Sequence, residues 1–333
     1  MTNTNQLPPG IRLNQMITGC WVTQAIHVAA EFGVADLLKS GALTPAEIAA
    51  KLGTTGDGLY RILRALASLG IFRENESGQF EQTELSECLR SDVPGSMRAW
   101  ARAIGANWHW DMMAGLRNSG RTGEKYPVNL WEYFEQNKDD GDIFNQAMTS
   151  FSSGEIGPIL GSYDFAGIAT LMDVAGGYGS LLTAVLEANP EMRGILFDAA
   201  SVIENARPHV AATKAAERCE LAGGDFFASV PSGADAIMMK HILHDWSDED
   251  SLRILRSCHA ALPVGGKLLV IESVIQPGND PQPGKMLDIV MLLIGGKERT
   301  EAEFRTLLDA AGFEMTRIVG TASPVSVVEG RKR

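Results

Sequence analysis

Cysteine is scarce in this chain of 333 residues: Cys20, Cys88, Cys219 and Cys258 are scattered, with no C-x-x-C pair. That spacing excludes a disulfide framework or a cysteine-built zinc site and leaves reduced thiols as the expectation. Positive charge is also short, with 29 lysines and arginines against 41 aspartates and glutamates and a formal net charge of −12. A protein whose main partner is nucleic acid or an anionic membrane needs a basic face, so neither partner is expected. No hydrophobic run reaches transmembrane length, and the opening MTNTNQLPPG has neither the charged nor the apolar region of a signal peptide. The expected location is therefore cytoplasmic. What is present, 45% hydrophobic and 21% charged residues, is ordinary globular composition with length enough for two cored domains.

Three regions follow one another. Ile11 to Phe32 is apolar almost all round, the pattern of a helix that wants burial on most of its surface. Thr44, Pro45 and Glu47 then supply an N-cap, a first-turn proline and a capping-box glutamate, with Gly53 placed to close the helix. A second helix carries Leu59, Ile62, Leu63, Leu66 and Leu69 on one face, and IFRENESGQFEQT predicts two short strands around Ser77-Gly78. Helix, turn, helix and hairpin over 1–95 predict a winged helix. Its second helix offers only Arg61 and Arg64 as cations, so a DNA-reading role is disfavoured and a dimerising module is the better expectation. Residues 96–160 predict a helical region rich in tryptophan and methionine, either core or a lid over a flat apolar substrate. From 161 to 333, strands and helices alternate, which predicts a largely parallel sheet with helices on both faces, a Rossmann-like domain.

The stretch LMDVAGGYGSLL at 171–182 lies where such a sheet binds ligands, at the carboxyl end of its first strand. Gly177 and Gly179 supply two glycines of a dinucleotide fingerprint, but Leu182 stands where the third belongs. Asp198 ends the next strand, where an acid can hold ribose hydroxyls. Asp173, just ahead of the glycines, is awkward beside a pyrophosphate and well placed for a positively charged group. A sulfonium nucleoside, S-adenosyl-L-methionine, fits that combination better than a nicotinamide dinucleotide.

With this loop, the segments ILFD, GGDFF, MMKHILHDWSDED, GGKLLVIESV and GGKERTEAEF follow in an order and spacing that resemble the caffeic-acid-type S-adenosylmethionine-dependent O-methyltransferases over nearly the whole chain. The resemblance implies a winged-helix dimerisation module followed by a Rossmann-like methyltransferase domain, working as a homodimer on a small hydroxylated acceptor. It implies cofactor contacts at Asp173, Ala175, Gly176, Gly177, Gly179, Asp198, Asp225, Phe226 and Lys240. Ala175 replaces the family's first loop glycine, and Ala199-Ala200 replace its Leu-Pro. His244 matches the general base, with Glu272 and Glu298 the two acids beside it; Phe144, Met148, His241, Asp245 and Met291 fall at the acceptor pocket. His241 stands where the family has a larger tryptophan.

The chemistry agrees with those residue types. A phenol, ordinarily titrating near ~10, is a weak nucleophile until its proton leaves, and a neutral imidazole can take that proton. A carboxylate on the other ring nitrogen fixes the tautomer and stabilises the imidazolium. A charged glutamate in a loop is ordinarily solvated, so Glu298 is expected in that role through the resemblance alone. His241, His244 and Asp245 have the H-x-x-H-D form of a metal site, but no third histidine or cysteine sits at ligand spacing and no metal is expected. Two other functions stay open at this point: a nicotinamide-dependent oxidoreductase, opposed by Leu182, and a metabolite-sensing winged-helix regulator, opposed by the acidic charge.

Overall fold

The computed structural model describes residues 7–333, and the chain divides into two compact units. The first comprises residues up to Asp111 together with Trp131–Phe151; the second comprises Met112–Leu130 and Ser152–Arg333.

In the first unit, the apolar opening segment forms two helices, Pro9–Ile17 and Gly19–Glu31, where one was expected. Thr18 interrupts them, turning its hydroxyl back to the Asn14 carbonyl at 2.8 Å. Among the described residues nothing covers the outer face: Met16 and Trp21 are each 72% exposed. The helix Pro45–Leu52 has the expected capping box, Thr44 and Glu47 satisfying each other's backbone N–H groups, and it ends on Gly53 in the left-handed conformation. In the next helix, Gly56–Ser68, Leu59, Leu63 and Leu66 are buried. Leu69 was expected on the same face, but the helix stops one residue earlier and leaves it exposed. Strands β1 (Phe72–Glu74) and β2 (Phe80–Gln82) form the expected hairpin, and Leu43 adds one bridge to Phe80. Ala29, Val34, Ile48, Leu63, Phe72 and Phe80 meet in the core of this winged helix.

In the second unit, strands β3 (Thr170–Val174), β4 (Arg193–Asp198), β5 (Cys219–Gly223), β6 (Ala236–Lys240) and β7 (Lys267–Glu272) pair in parallel. After the short pair β8 (Val274–Ile275) and β9 (Arg299–Thr300) come β10 (Phe313–Gly320) and β11 (Ser326–Lys332), which extend the sheet antiparallel. The order is β10-β11-β7-β6-β3-β4-β5. Two apolar clusters cover its faces, one around Met172, Ile237, Val270 and Phe304, the other around Leu171, Leu196, Met238 and Ile271. Neighbouring residues of a strand thus serve opposite layers, as the pleat requires. The chain reverses its direction of winding between β3 and β6, and ligands of such sheets bind beyond the carboxyl ends at that crevice. Asp173, Asp198 and Lys240 all stand there.

Candidate active site

The glycine loop after β3 is built for close approach. Ala175 and Gly177 both have left-handed backbones, at φ 57° and 58°. A side chain on Gly176 would lie 2.6 Å from both Asp173 and Leu196, whereas one on Gly177 would meet nothing within 4 Å. The loop is therefore packed beneath Gly176 and open over Gly177, the shape a backbone-hugging ligand needs. Gly179, again left-handed at φ 78°, starts the helix Ser180–Ala188. Ala175 is the one strained non-glycine in this loop, because its Cβ crowds a carbonyl oxygen in that conformation. Ala175→Gly should raise stability by about 1 kcal/mol, the relief of left-handed strain less the added freedom of the unfolded chain. Calorimetry reads this as a melting temperature higher by about 2 °C; an unchanged or lower value would mean that the loop absorbs the strain.

The acids around the loop are held tightly. Asp198 accepts the Gly177 N–H at 2.8 Å and the Ala199 N–H at 2.7 Å. Burial raises its carboxyl, and those two donors pull it back. Asp173 is 2% exposed, and burial pushes it up to about 7 while Lys240 opposes the rise. Such a carboxyl gains most from a cation brought beside it. Asp225, exposed after β5, accepts the Phe227 N–H at 2.8 Å, and Phe226 packs against Phe227 and Trp246.

Around the carboxyl ends of β6 and β7 the structure gathers the second set. His244 lies in a short turn, Leu243–Asp245, and is 6% exposed. Its Nδ1 is 2.8 Å from Glu298 Oε1, and its Nε2 is 3.5 Å from Asp245 Oδ1. Burial favours a neutral ring, but Asp245 and Glu298 outweigh it and push His244 up to about 9. Glu298 is 3% exposed, so the solvation ordinary for a loop glutamate does not apply here. Glu272, wholly buried, stands beside the same residue but meets main chain: its Oε1 accepts the N–H groups of Ile242 at 3.2 Å and His244 at 3.1 Å. Burial pushes its carboxyl up to about 7 against the pull of His244. Glu272 shapes the turn, and Glu298 holds the ring.

Two further side chains of this site carry no signal in the sequence. Arg299, wholly buried, donates to the carbonyls of Leu243 at 2.8 Å and Trp246 at 3.0 Å, to Ser251 Oγ at 3.0 Å and to Asp248 at 2.9 Å. The Lys297 N–H donates to the His244 carbonyl at 2.9 Å, and a side chain on Gly296 would strike that carbonyl at 1.9 Å. The GGKERT loop is thus fastened along the HDW turn. Glu155, on the helix Lys138–Ser162, pairs with Lys240 at 3.2 Å and with His241 at 3.0 Å. Lys240 and His241 therefore turn toward Glu155, with the His241 and His244 ring centres 5.1 Å apart. Met291 is buried in the helix Pro283–Ile294 of this unit. Phe144 and Met148 belong to the first unit, where Phe144 stacks on Phe134 at 4.7 Å and meets Trp108 edge-on.

Residues 110–314 match the O-methyltransferase domain family, and residues 14–92 match the O-methyltransferase dimerisation domain. Among curated relatives, the phenazine O-methyltransferase of Lysobacter antibioticus is 40% identical over 99% of both chains. The mitomycin biosynthesis 6-O-methyltransferase of Streptomyces lavendulae is 39% identical over 96% of this chain and 94% of its own. Among solved structures, an O-methyltransferase from neocarzinostatin biosynthesis, in complex with S-adenosyl-L-homocysteine and 1,4-dihydroxy-2-naphthoic acid, superposes with a TM-score of 0.80. It is 33% identical, and the match covers 94% of this chain and 96% of that one.

Proposed function

This chain belongs to the S-adenosylmethionine-dependent O-methyltransferase family, and we propose that it methylates a phenolic hydroxyl of a small aromatic metabolite with His244 as general base. The observation that carries the reading is the buried imidazole with Glu298 on Nδ1, which leaves Nε2 as the proton-accepting nitrogen. Relatives named for phenazine and mitomycin chemistry, and one solved with a dihydroxynaphthoic acid, support a flat aromatic acceptor.

The cofactor site fits: open backbone over Gly177, a buried acid at Asp173 for a cationic group, and Asp198 for the ribose. Asp225 and Phe226 would hold the adenine edge, and Ala175 to Gly179 would hold the nucleoside. S-adenosylmethionine, when bound, supplies an electrophilic methyl on a cationic sulfur. His244 takes the hydroxyl proton at Nε2, Glu298 steadies the imidazolium, and Asp245 beside Nε2 orients the acceptor. Within the second unit, His241 and Met291 are the side chains we assign to acceptor contacts. In the first unit, the uncovered row Ile11, Leu13, Met16, Ile17 and Trp21 is the surface we assign to a second copy of the chain. A monomer by light scattering at micromolar concentration would refute that assignment.

Thermal-shift measurements test the cofactor reading directly, because a ligand of the native state raises the melting temperature. S-adenosylmethionine and S-adenosylhomocysteine should both raise it and NAD should not. Mass spectrometry with a hydroxyphenazine and a dihydroxynaphthoate should then show the gain of one methyl. Stabilisation by NAD alone would overturn the reading.

A further inference from the structure

Lys240 poses an electrostatic problem. It is the last residue of β6, which runs beside β3 with Met238 opposite Asp173. Two residues further along, Lys240 is level with Ala175 and the start of the glycine loop, and its charge is felt at Asp173. A cationic side chain at 10% exposure in that place would repel a cationic sulfur, since charges in a protein interior act over several ångströms with little screening.

Glu155 answers the problem. Its side chain is 4% exposed, it accepts from Lys240 Nζ, and it holds His241 Nε2. Ser152, one turn earlier on the same helix, accepts from the same ammonium at 2.7 Å. Burial would raise the Glu155 carboxyl, but the hydrogen bond from His241 and the adjacent Lys240 ammonium bring it below its ordinary range, so it stays ionised. Burial keeps His241 below its ordinary range and therefore neutral, despite the opposing pull of Glu155. The trio carries one negative and one positive charge, and its field on the cofactor largely cancels.

We propose that Glu155 is the counter-charge that lets this site hold a sulfonium beside Lys240, and that it thereby sets the enzyme's preference between charged cofactor and neutral product. This rests on the cofactor placement given above. S-adenosylmethionine and S-adenosylhomocysteine differ by the methyl and the charge it confers on sulfur, so the ratio of their dissociation constants isolates that charge from every shared contact. A structural role for Glu155 would weaken both alike.

The experiment is isothermal titration calorimetry of both ligands at pH 7.5 on the full chain and its variants. Glu155→Gln leaves the ammonium uncompensated and should weaken S-adenosylmethionine about tenfold more than S-adenosylhomocysteine, the size expected of one charge at interior distance. Lys240→Met should move the ratio the other way, and the double variant should return it toward wild type. If Glu155→Gln does not fold, the direction in Lys240→Met decides alone. An equal loss for both ligands, or a ratio that does not move, overturns the inference while leaving the cofactor reading intact. A wild-type protein that binds neither ligand takes down the cofactor reading and this inference together.

Discussion

Replacing His244 with alanine should lower turnover about 10²–10⁴-fold, the usual worth of general-base catalysis, while S-adenosylmethionine affinity is not weakened. The separation follows from the geometry. His244 is fastened to Glu298 and the HDW turn, whereas the carboxylates and open backbone assigned to the cofactor stand at the ends of β3 and β4. The pH profile sharpens the test. With Asp245 and Glu298 pushing it up to about 9, the resting imidazole holds a proton at neutral pH and cannot accept another. Activity should therefore climb as pH rises, flattening once the ring is neutral. A sulfonium nearby is a like charge and favours the neutral ring, so the rising limb at saturating cofactor should lie below the pKa of His244 measured by NMR without cofactor. Glu298→Gln removes one of the charges that hold the proton and should shift the limb lower still, at some cost in turnover from a less steady ring. Near-full turnover in His244→Ala at neutral pH would place the base elsewhere.

What could be read beforehand was what neighbouring residues encode. The Thr44–Glu47 capping box, the hairpin around Gly78 and the loop glycines are signals written within a few positions, and each is in the structure. The break at Thr18 and the early end before Leu69 were not legible, because apolar periodicity continues through both while backbone geometry does not. At the site, the gathering of His244 and Glu298 came through the resemblance; no spacing rule joins residues 54 positions apart. Glu155 gave no signal, being an ordinary acid on a long helix until folding sets it against Lys240, 85 positions away. Glu272, which the resemblance sets beside the base, turns its oxygen to two main-chain N–H groups, a placement that only the folded turn creates. Arg299 sat in plain view inside GGKERT, yet a charged residue after two glycines gives no hint of complete burial.

That burial makes Arg299 the position where the largest loss of stability is expected. Its guanidinium satisfies the carbonyls of Leu243 and Trp246 and the Ser251 hydroxyl, and it reaches Asp248 at its outer edge. Asp248 is 62% exposed on its side chain, so the ion pair itself is largely screened and contributes little. The cost of removing the arginine comes from the acceptors left behind. Each buried polar group stripped of its partner costs about 1–3 kcal/mol, so Arg299→Met should destabilise the fold by about 3–5 kcal/mol. Arg299→Lys keeps the charge but cannot span both carbonyls, because one ammonium replaces a planar fork; it should recover only part of the loss. Urea unfolding measures both. The catalytic consequence is separable from stability: the two carbonyls bracket His244, so loosening them frees the turn that aims the imidazole. At temperatures where Arg299→Lys remains folded, kcat should fall by about tenfold or more with KM little changed, since a misaimed base raises the barrier without weakening acceptor binding. The NMR pKa of His244 should shift in the same variant as its distance to Asp245 and Glu298 relaxes. A lysine variant with wild-type kcat and an unmoved His244 pKa would reduce Arg299 to a stabilising residue with no part in aiming the base.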